Sequence, residues 1–319
     1  MIQKSYNDGK KHVHVLSFGA GTQSTALLLM ALKGEVNGVI PDYVIFSDTG
    51  WEPKKVYAWM QMIREFVREK HGKEIVVTSA GSIREDIINV EKKRRFASLP
   101  FFTKSMVPVY ADGLEASKEV NPEDPNQLAM QLETKNADRR IIGYREQLGM
   151  VRRQCTREYK IEPVIKKTRQ LLGYQKRQRV REIVHMWKGI STDEIGRVKP
   201  SRDRWIVSEH PLIDYMGMSR DDCIKYVETE GLGTPPKSSC IGCPFHDNAA
   251  WLDMKENDPE AFADAVYIDR IIRELPRFKQ NAFLHRSCKP LDEVDFISLI
   301  AEGEQIDMFE NECEGMCGI

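Results

Sequence analysis

Residues 14–25 read His14-Val15-Leu16-Ser17-Phe18-Gly19-Ala20-Gly21-Thr22-Gln23-Ser24-Thr25 and continue into ALLLMALKG at 26–34. An apolar, strand-like run enters a turn of small residues, and a helical run follows. Such a junction can hold an anion: the small residues let the backbone come close, and the N–H groups of the first helical turn point outward. Ser17, Thr22 and Ser24 add hydroxyls to the same turn. A Walker A loop needs a lysine after its last glycine, and none follows Gly21. A dinucleotide fingerprint needs a third glycine where this chain has Ser24.

Working outward, DYVIFSD (42–48) and KEIVVTSA (73–80) also read as strands. TALLLMALKG and KKVYAWMQMIREFVREKHG carry apolar residues at helical spacing and stop at Gly34 and Gly72. The βαβαβ order predicts an α/β fold, a parallel twisted sheet with helices on both faces. Neighbouring parallel strands share a ligand crevice at their C-terminal ends. Asp48 and Thr49, closing the second strand in IFSDTGWEP, are therefore expected beside the glycine turn.

Periodicity fades between Val90 and Met150, which reads as an insertion over the ligand edge. It resumes with a helix over Glu158–Leu172, strands in EIVHMWKGI (182–190) and RWIVSEHPLI (204–213), and a helix from an N-cap at Ser219 to Glu230, stopped by Gly231. The expected organisation is an α/β unit over 1–232, with the insertion at about 90–150, and a cysteine-containing, mostly helical region over 233–319.

The 319 residues carry a formal net charge of -1 and are 41% hydrophobic, so global charge makes no case for a polyanion partner. The distribution is uneven, with basic residues crowding Arg152–Arg181 and a second knot at Lys92-Lys93-Arg94-Arg95. A basic stretch of this kind is either a solvated helix face or an anion-binding surface. No apolar run is long enough to span a bilayer and no secretory leader is visible, so a cytoplasmic location is expected. Seven cysteines in that compartment read as reduced thiols, metal ligands or redox groups.

Cys240-Ile241-Gly242-Cys243-Pro244 is a CxxC motif, which by spacing alone suits zinc, an iron–sulfur cluster or a redox pair. The last lacks the strand–CxxC–helix surroundings it needs. Cys155 in RRQCTREYK and Cys288 in FLHRSCKPL are candidate companions, and Cys223 reads as a core thiol. His246 reads as a hydrogen-bonding residue beside the CxxC, and His285-Arg286 as positive charge near Cys288.

Together these segments resemble the PP-loop family of adenine-nucleotide-binding proteins, in its phosphoadenylyl-sulfate (PAPS) reductase branch. SFG in the first loop, DTG after the second strand, the cysteine before a basic helix, GISTDEIGR (189–197) and the CxxC keep that branch's order over about Val13–Phe245. The resemblance implies nucleotide contacts from Ser17, Phe18, Gly19, Gly21, Thr22, Gln23, Ser24, Thr25, Asp48 and Thr49. It implies phosphate or sulfate contacts from Arg152, Arg153, Lys160 and Arg197.

It also implies a 4Fe–4S cluster, with zinc the alternative, held by Cys155, Cys240 and Cys243. Gln154 stands where iron–sulfur members have a second adjacent cysteine, and Cys288 is the candidate fourth ligand. Cys313 and Cys317, in the tail NECEGMCGI, stand where the reductases carry a nucleophilic thiol. The implied activity is reduction of PAPS or adenylyl sulfate with a thioredoxin- or glutaredoxin-like partner. The alternatives are ATP- and Mg2+-dependent sulfur transfer to tRNA or DNA, or a nucleotide-binding module without catalysis.

Overall fold

In a computed structural model, residues 8–90, 99–110, 141–151, 153–276 and 281–303 are described. Five parallel strands form the central sheet: β1 (His12–Phe18), β2 (Tyr43–Asp48), β3 (Ile75–Ser79), β6 (Ile183–Lys188) and β7 (Ile206–Glu209), in the order β3-β2-β1-β6-β7. Their C-terminal ends share one edge, as Ser17 pairs in register with Ile45 and with Lys188.

Alternation along the strands divides the core. Leu16, Phe18, Val44, Phe46 and Trp187 pack against α1 (Thr22–Leu32), α2 (Lys54–His71) and α5 (Arg220–Thr229). Val13, Val15, Ile45, Val184 and Met186 face the other way, against Val164 and Ile165 of α4 (Glu162–Leu171). Helices on both faces of a parallel sheet make this an α/β fold. Every residue of α1 is buried, because α1 runs between the sheet and Cys223 and Val227 of α5. A helix enclosed this way has no solvent face, which explains its unbroken apolar run. The helix ends match their sequence signals: Gly72 is left-handed at the α2 terminus, and Ser219 caps α5 by accepting from the Asp222 N–H.

The stretch expected to lack regular structure departs from that reading. β4 (Phe102–Tyr110) and β5 (Ile141–Met150) form an antiparallel ribbon, extended by β8 (Ala282–Phe283) on β4. Most β5 residues are exposed, so the ribbon has no buried face to impose alternation on the sequence. The expected strand at 204–213 ends at Glu209, since Pro211 opens a single helical turn, Pro211–Asp214.

The C-terminal region consists of α6 (Asn248–Asn257), α7 (Pro259–Glu274) and α8 (Phe296–Ala301). It shares a core with earlier segments: Trp251, Phe262, Ile268, Leu284 and Phe296 pack with Trp51, Phe101, Tyr159 and residues of α3 (Ile83–Ile88). Asp269, fully buried, fastens it by accepting from the N–H groups of Leu284 (2.8 Å) and Leu291 (3.1 Å) and by pairing with Arg273. No helix among the described residues is long and apolar enough to cross a membrane.

Candidate functional site

The glycine turn after β1 is built differently from its sequence appearance. The left-handed residue is Ala20 (φ 57°), whereas Gly21 is extended and is the N-cap of α1. Gly21 lies close to the segment before the CxxC: a Cβ there would stand 3.2 Å from Ser238 Cβ, so Ser238 would have to give by a few tenths of an ångström. Ser24 closes the turn, its hydroxyl accepting from the Gly21 N–H at 3.2 Å.

The other first-turn residues are all buried. Gln23 donates to Ser191 Oγ at 3.4 Å, and Thr25 Oγ1 accepts from Trp59 Nε1 at 3.2 Å. Thr22 Oγ1 has no hydrogen-bond partner among the described residues. A buried hydroxyl at the mouth of a helix N-terminus is a donor in want of an acceptor.

Beside the turn is a small crevice lined by Ser17, Phe18, Gly19, Phe46, Ser47, Glu52 and Lys160. Asp48 lies next to it and is engaged elsewhere, accepting from the Gly50 N–H and the Tyr57 hydroxyl at 2.8 Å each. The crevice carboxylate is Glu52, 4% exposed, whose Oε1 accepts from Thr49 Oγ1 (2.9 Å) and lies 3.6 Å from Lys160 Nζ. Its Oε2 is buried with no hydrogen-bond partner among the described residues.

Lys160 arrives on a π-helical turn, Thr156–Ile161, that leads into α4. Pro163 accounts for the irregularity: it has no N–H to give the carbonyl four residues back. The carbonyl of Tyr159 accepts instead from Ser47 Oγ at 2.6 Å, which ties the turn to the tip of β2.

Lys160 also lines a second cleft, with Arg153, Cys155, Thr156, Cys240 and Cys243. One side chain thus lines both the glycine-turn crevice and the cleft that holds the thiols. Two further links hold these parts together. Ser238 Oγ donates to the Gly19 carbonyl at 2.6 Å, and the Ile241 N–H donates to the Trp51 carbonyl at 2.9 Å. Gly242 lies flat on Trp51, where a Cβ would come within 2.1 Å of the indole.

Cys240 donates to Glu52 Oε1 at 3.6 Å, and burial, reinforced by the Glu52 charge, pushes its thiol well above the usual range. Arg153 covers the Phe245 ring at 5.1 Å. The three sulfurs do not group within 4.8 Å of one another. A single zinc with sulfurs at about 2.3 Å would draw them to roughly 3.8 Å, whereas a cluster gives each thiolate its own iron and a wider spacing.

The remaining expected residues are placed as follows. Arg197 pairs with Glu194 within the 3-10 turn Thr192–Arg197 and lines neither cleft. Cys288 is buried (φ 50°) and lines neither cleft; Lys104 and Glu146 of the ribbon act on its thiol. His285 hydrogen-bonds Asn248 and Ser287, and burial lowers it to about 4, so it carries no positive charge at neutral pH. His246 bonds the Cys240 carbonyl at 2.9 Å, and Cys223 is a core thiol. Arg152, Cys313, Cys317 and the knot at 92–95 lie outside the described residues.

Sequence reasoning missed Glu52, Ser238 and Lys188. Glu52 follows DTG closely and Ser238 precedes the CxxC, so proximity to recognised motifs was the available signal. Lys188 ends a strand and is 7% exposed, with no hydrogen-bond or ion-pair partner among the described residues. Burial lowers its pKa.

Lys188 opens on a groove of about 780 Å³ between α4 and the β6–β7 face. The β6–β7 crossover has only a 3-10 turn where a covering helix would lie. Ile161, Ile165, Met186 and Ile206 floor the groove, and Arg157, Lys166, Arg169, Lys176, Arg177 and Arg202 rim it. No protein-family model matches the chain, and no curated protein matches it.

Proposed function

We propose that this chain binds an adenine nucleotide at the β1–α1 turn and an iron–sulfur cluster at Cys155, Cys240 and Cys243, and that it reduces a sulfonucleotide with thiols. The observation that carries this reading is Lys160, whose side chain lines both the glycine-turn crevice and the thiol cleft. A phosphate seated on the N–H groups of the first α1 turn would find donors in Ser17, Thr22 and Lys160, with Arg153 toward the thiols. When bound, a cluster held by three thiolates supplies an iron with an open coordination position.

The chemistry belongs to thiols. A thiolate, assigned to Cys313 or Cys317 by the resemblance, attacks the sulfonyl sulfur of PAPS or adenylyl sulfate, and the nucleoside phosphate leaves with the S–O bonding pair. The resulting S-sulfocysteine is attacked by a second thiol, from the tail or from a thioredoxin- or glutaredoxin-like partner. A disulfide forms and sulfite departs. The positive side chains of the site offset the sulfate charge as the thiolate approaches.

A second reading is favoured by the basic groove: ATP- and Mg2+-dependent sulfur transfer to tRNA or DNA, with the polynucleotide backbone along the α4 rim and Glu52 near the metal-bound phosphates. Anaerobic purification, iron and sulfide analysis and two assays separate the readings. Sulfite release from PAPS or adenylyl sulfate with a thiol donor supports the first. Pyrophosphate release from ATP, stimulated by tRNA or DNA, supports the second. Nucleotide binding with neither product would leave a binding module.

A further inference from the structure

On the sheet face opposite α4, toward the other edge, three adjacent strands place polar side chains where a sheet interior is ordinarily apolar. His14 on β1 pairs in register with His185 on β6, and Trp187 pairs with Glu209 on β7. His185 is 4% exposed and Glu209 8%. The His14 and His185 rings stack at 4.7 Å, and one ligand atom from each of His14, His185 and Glu209 lies within 4.8 Å of the others. His14 beside them is half-buried, and hydrogen bonds or a shared ion must offset the cost of burying the His185 imidazole and the Glu209 carboxylate.

We propose that His14, His185 and Glu209 bind a single divalent late transition-metal ion, of Zn2+ character, with an open coordination position on the adjacent cavity. His185 Nδ1 stands 2.8 Å from Glu209 Oε1. Two ligands about 2.1 Å from one tetrahedral ion stand about 3.4 Å apart, so the imidazole and the carboxylate part by about 0.6 Å to admit the ion.

A surrounding hydrogen-bond chain orients the ligands. His12 Nε2 stands 2.9 Å from Asp8 Oδ1, and His12 Nδ1 stands 2.8 Å from His185 Nε2. With His12 neutral and His185 carrying its proton on Nε2, an ion would take the place of the proton between His185 Nδ1 and Glu209 Oε1. The other carboxylate oxygen, Oε2, accepts from Trp187 Nε1 at 2.9 Å. A ligating histidine whose second nitrogen is fixed by an outer partner is the usual arrangement around a bound metal. A cavity of about 350 Å³, lined in part by His14, Asp42, Trp187, Glu209 and Tyr215, gives the ion an entry path and room for water. Two histidines and one carboxylate with a position left open is the donor set of a reactive zinc site, whereas structural zinc sites are closed by four protein ligands.

Co2+ titration of the full metal-free chain tests this, because thiol-bound cobalt shows an intense thiolate charge-transfer band and a site of two histidines and one carboxylate does not. The expected difference spectrum, intact chain minus His14→Gln at saturation, is one equivalent of weak visible bands without charge-transfer absorption. Glu209→Gln, which keeps an oxygen for the Trp187 N–H, should lose the same component. Asp8→Asn should weaken the site about tenfold. Equal far-UV circular dichroism of the metal-free forms checks their folding. Cobalt bound only with thiolate absorption, or a spectrum unchanged in both His14→Gln and Glu209→Gln, would overturn the site and leave a proton-linked polar cluster.

Discussion

Lys160 is the residue on which the proposed site turns, since it is 15% exposed, 3.6 Å from Glu52 and shared by both clefts. A charge-assisted hydrogen bond contributes about 1.5–3 kcal/mol, so Lys160→Ala should weaken nucleotide binding tenfold or more. Isothermal titration with ATP and with PAPS measures this, and unchanged affinity for both would remove Lys160 from the site.

Lys188 offers the opposite balance. Its buried charge has no ion-pair partner among the described residues and burial lowers its pKa, so Lys188→Met should raise stability by about 1 kcal/mol or more. The native state then holds fewer protons here than the unfolded chain, so stability should climb as pH rises toward 10.5. Urea melts should show that climb in the wild type and its loss in Lys188→Met. At Ala20, φ 57° places a fully buried Cβ in the left-handed region; Ala20→Gly relieves about 1 kcal/mol of strain and gives up about as much in methyl burial, so the urea midpoint should stay nearly unchanged.

Among the elements, α1 depends on a glycine outside its own sequence. A Cβ on Gly189, just past β6, would lie 2.7 Å from the Ser24 backbone nitrogen, and backbone cannot move aside as a flexible side chain can. Gly189→Ala should therefore push the first turn of α1 off the β6 tip, destabilise the fold by about 1–3 kcal/mol and weaken nucleotide binding together with it. Thermal melts and the same titrations check the pair of effects. The π turn carrying Lys160 was half legible: the basic helix and Pro163 were visible, but the exchange of a backbone hydrogen bond for Ser47 Oγ needs the β2 tip nearby. The β4–β5 ribbon was not legible, because β5 is exposed along both faces and β4 is only partly covered, so no buried face places a pattern on their residues.

Across the molecule, burial against the C-terminal core holds two histidines neutral, His246 edge-on to Trp251 and His285 edge-on to Phe296. His246 and His285 are both lowered from 6.5 to about 4. A depressed histidine gives stability that is present above pH 6.5 and lost as pH falls through about 4, because the unfolded chain takes up the proton first. Each contributes about 3 kcal/mol over that window, so the urea midpoint should fall steeply between pH 6.5 and 4. His246→Gln, which can still donate to the Cys240 carbonyl, should flatten part of that fall.

The sequence by itself determined the parallel α/β order, the cap at Ser219 and the stop at Gly72. These are local signals, set by periodicity, backbone conformation and the chemistry of neighbouring residues. Only the tertiary structure decided that Glu52 rather than Asp48 faces the crevice, that Lys160 bridges turn and thiols, that Cys288 sits apart among ribbon charges, and that His14, His185 and Glu209 converge. Each of those depends on which strand lies beside which and in what register, and register is fixed by packing between segments far apart in the chain.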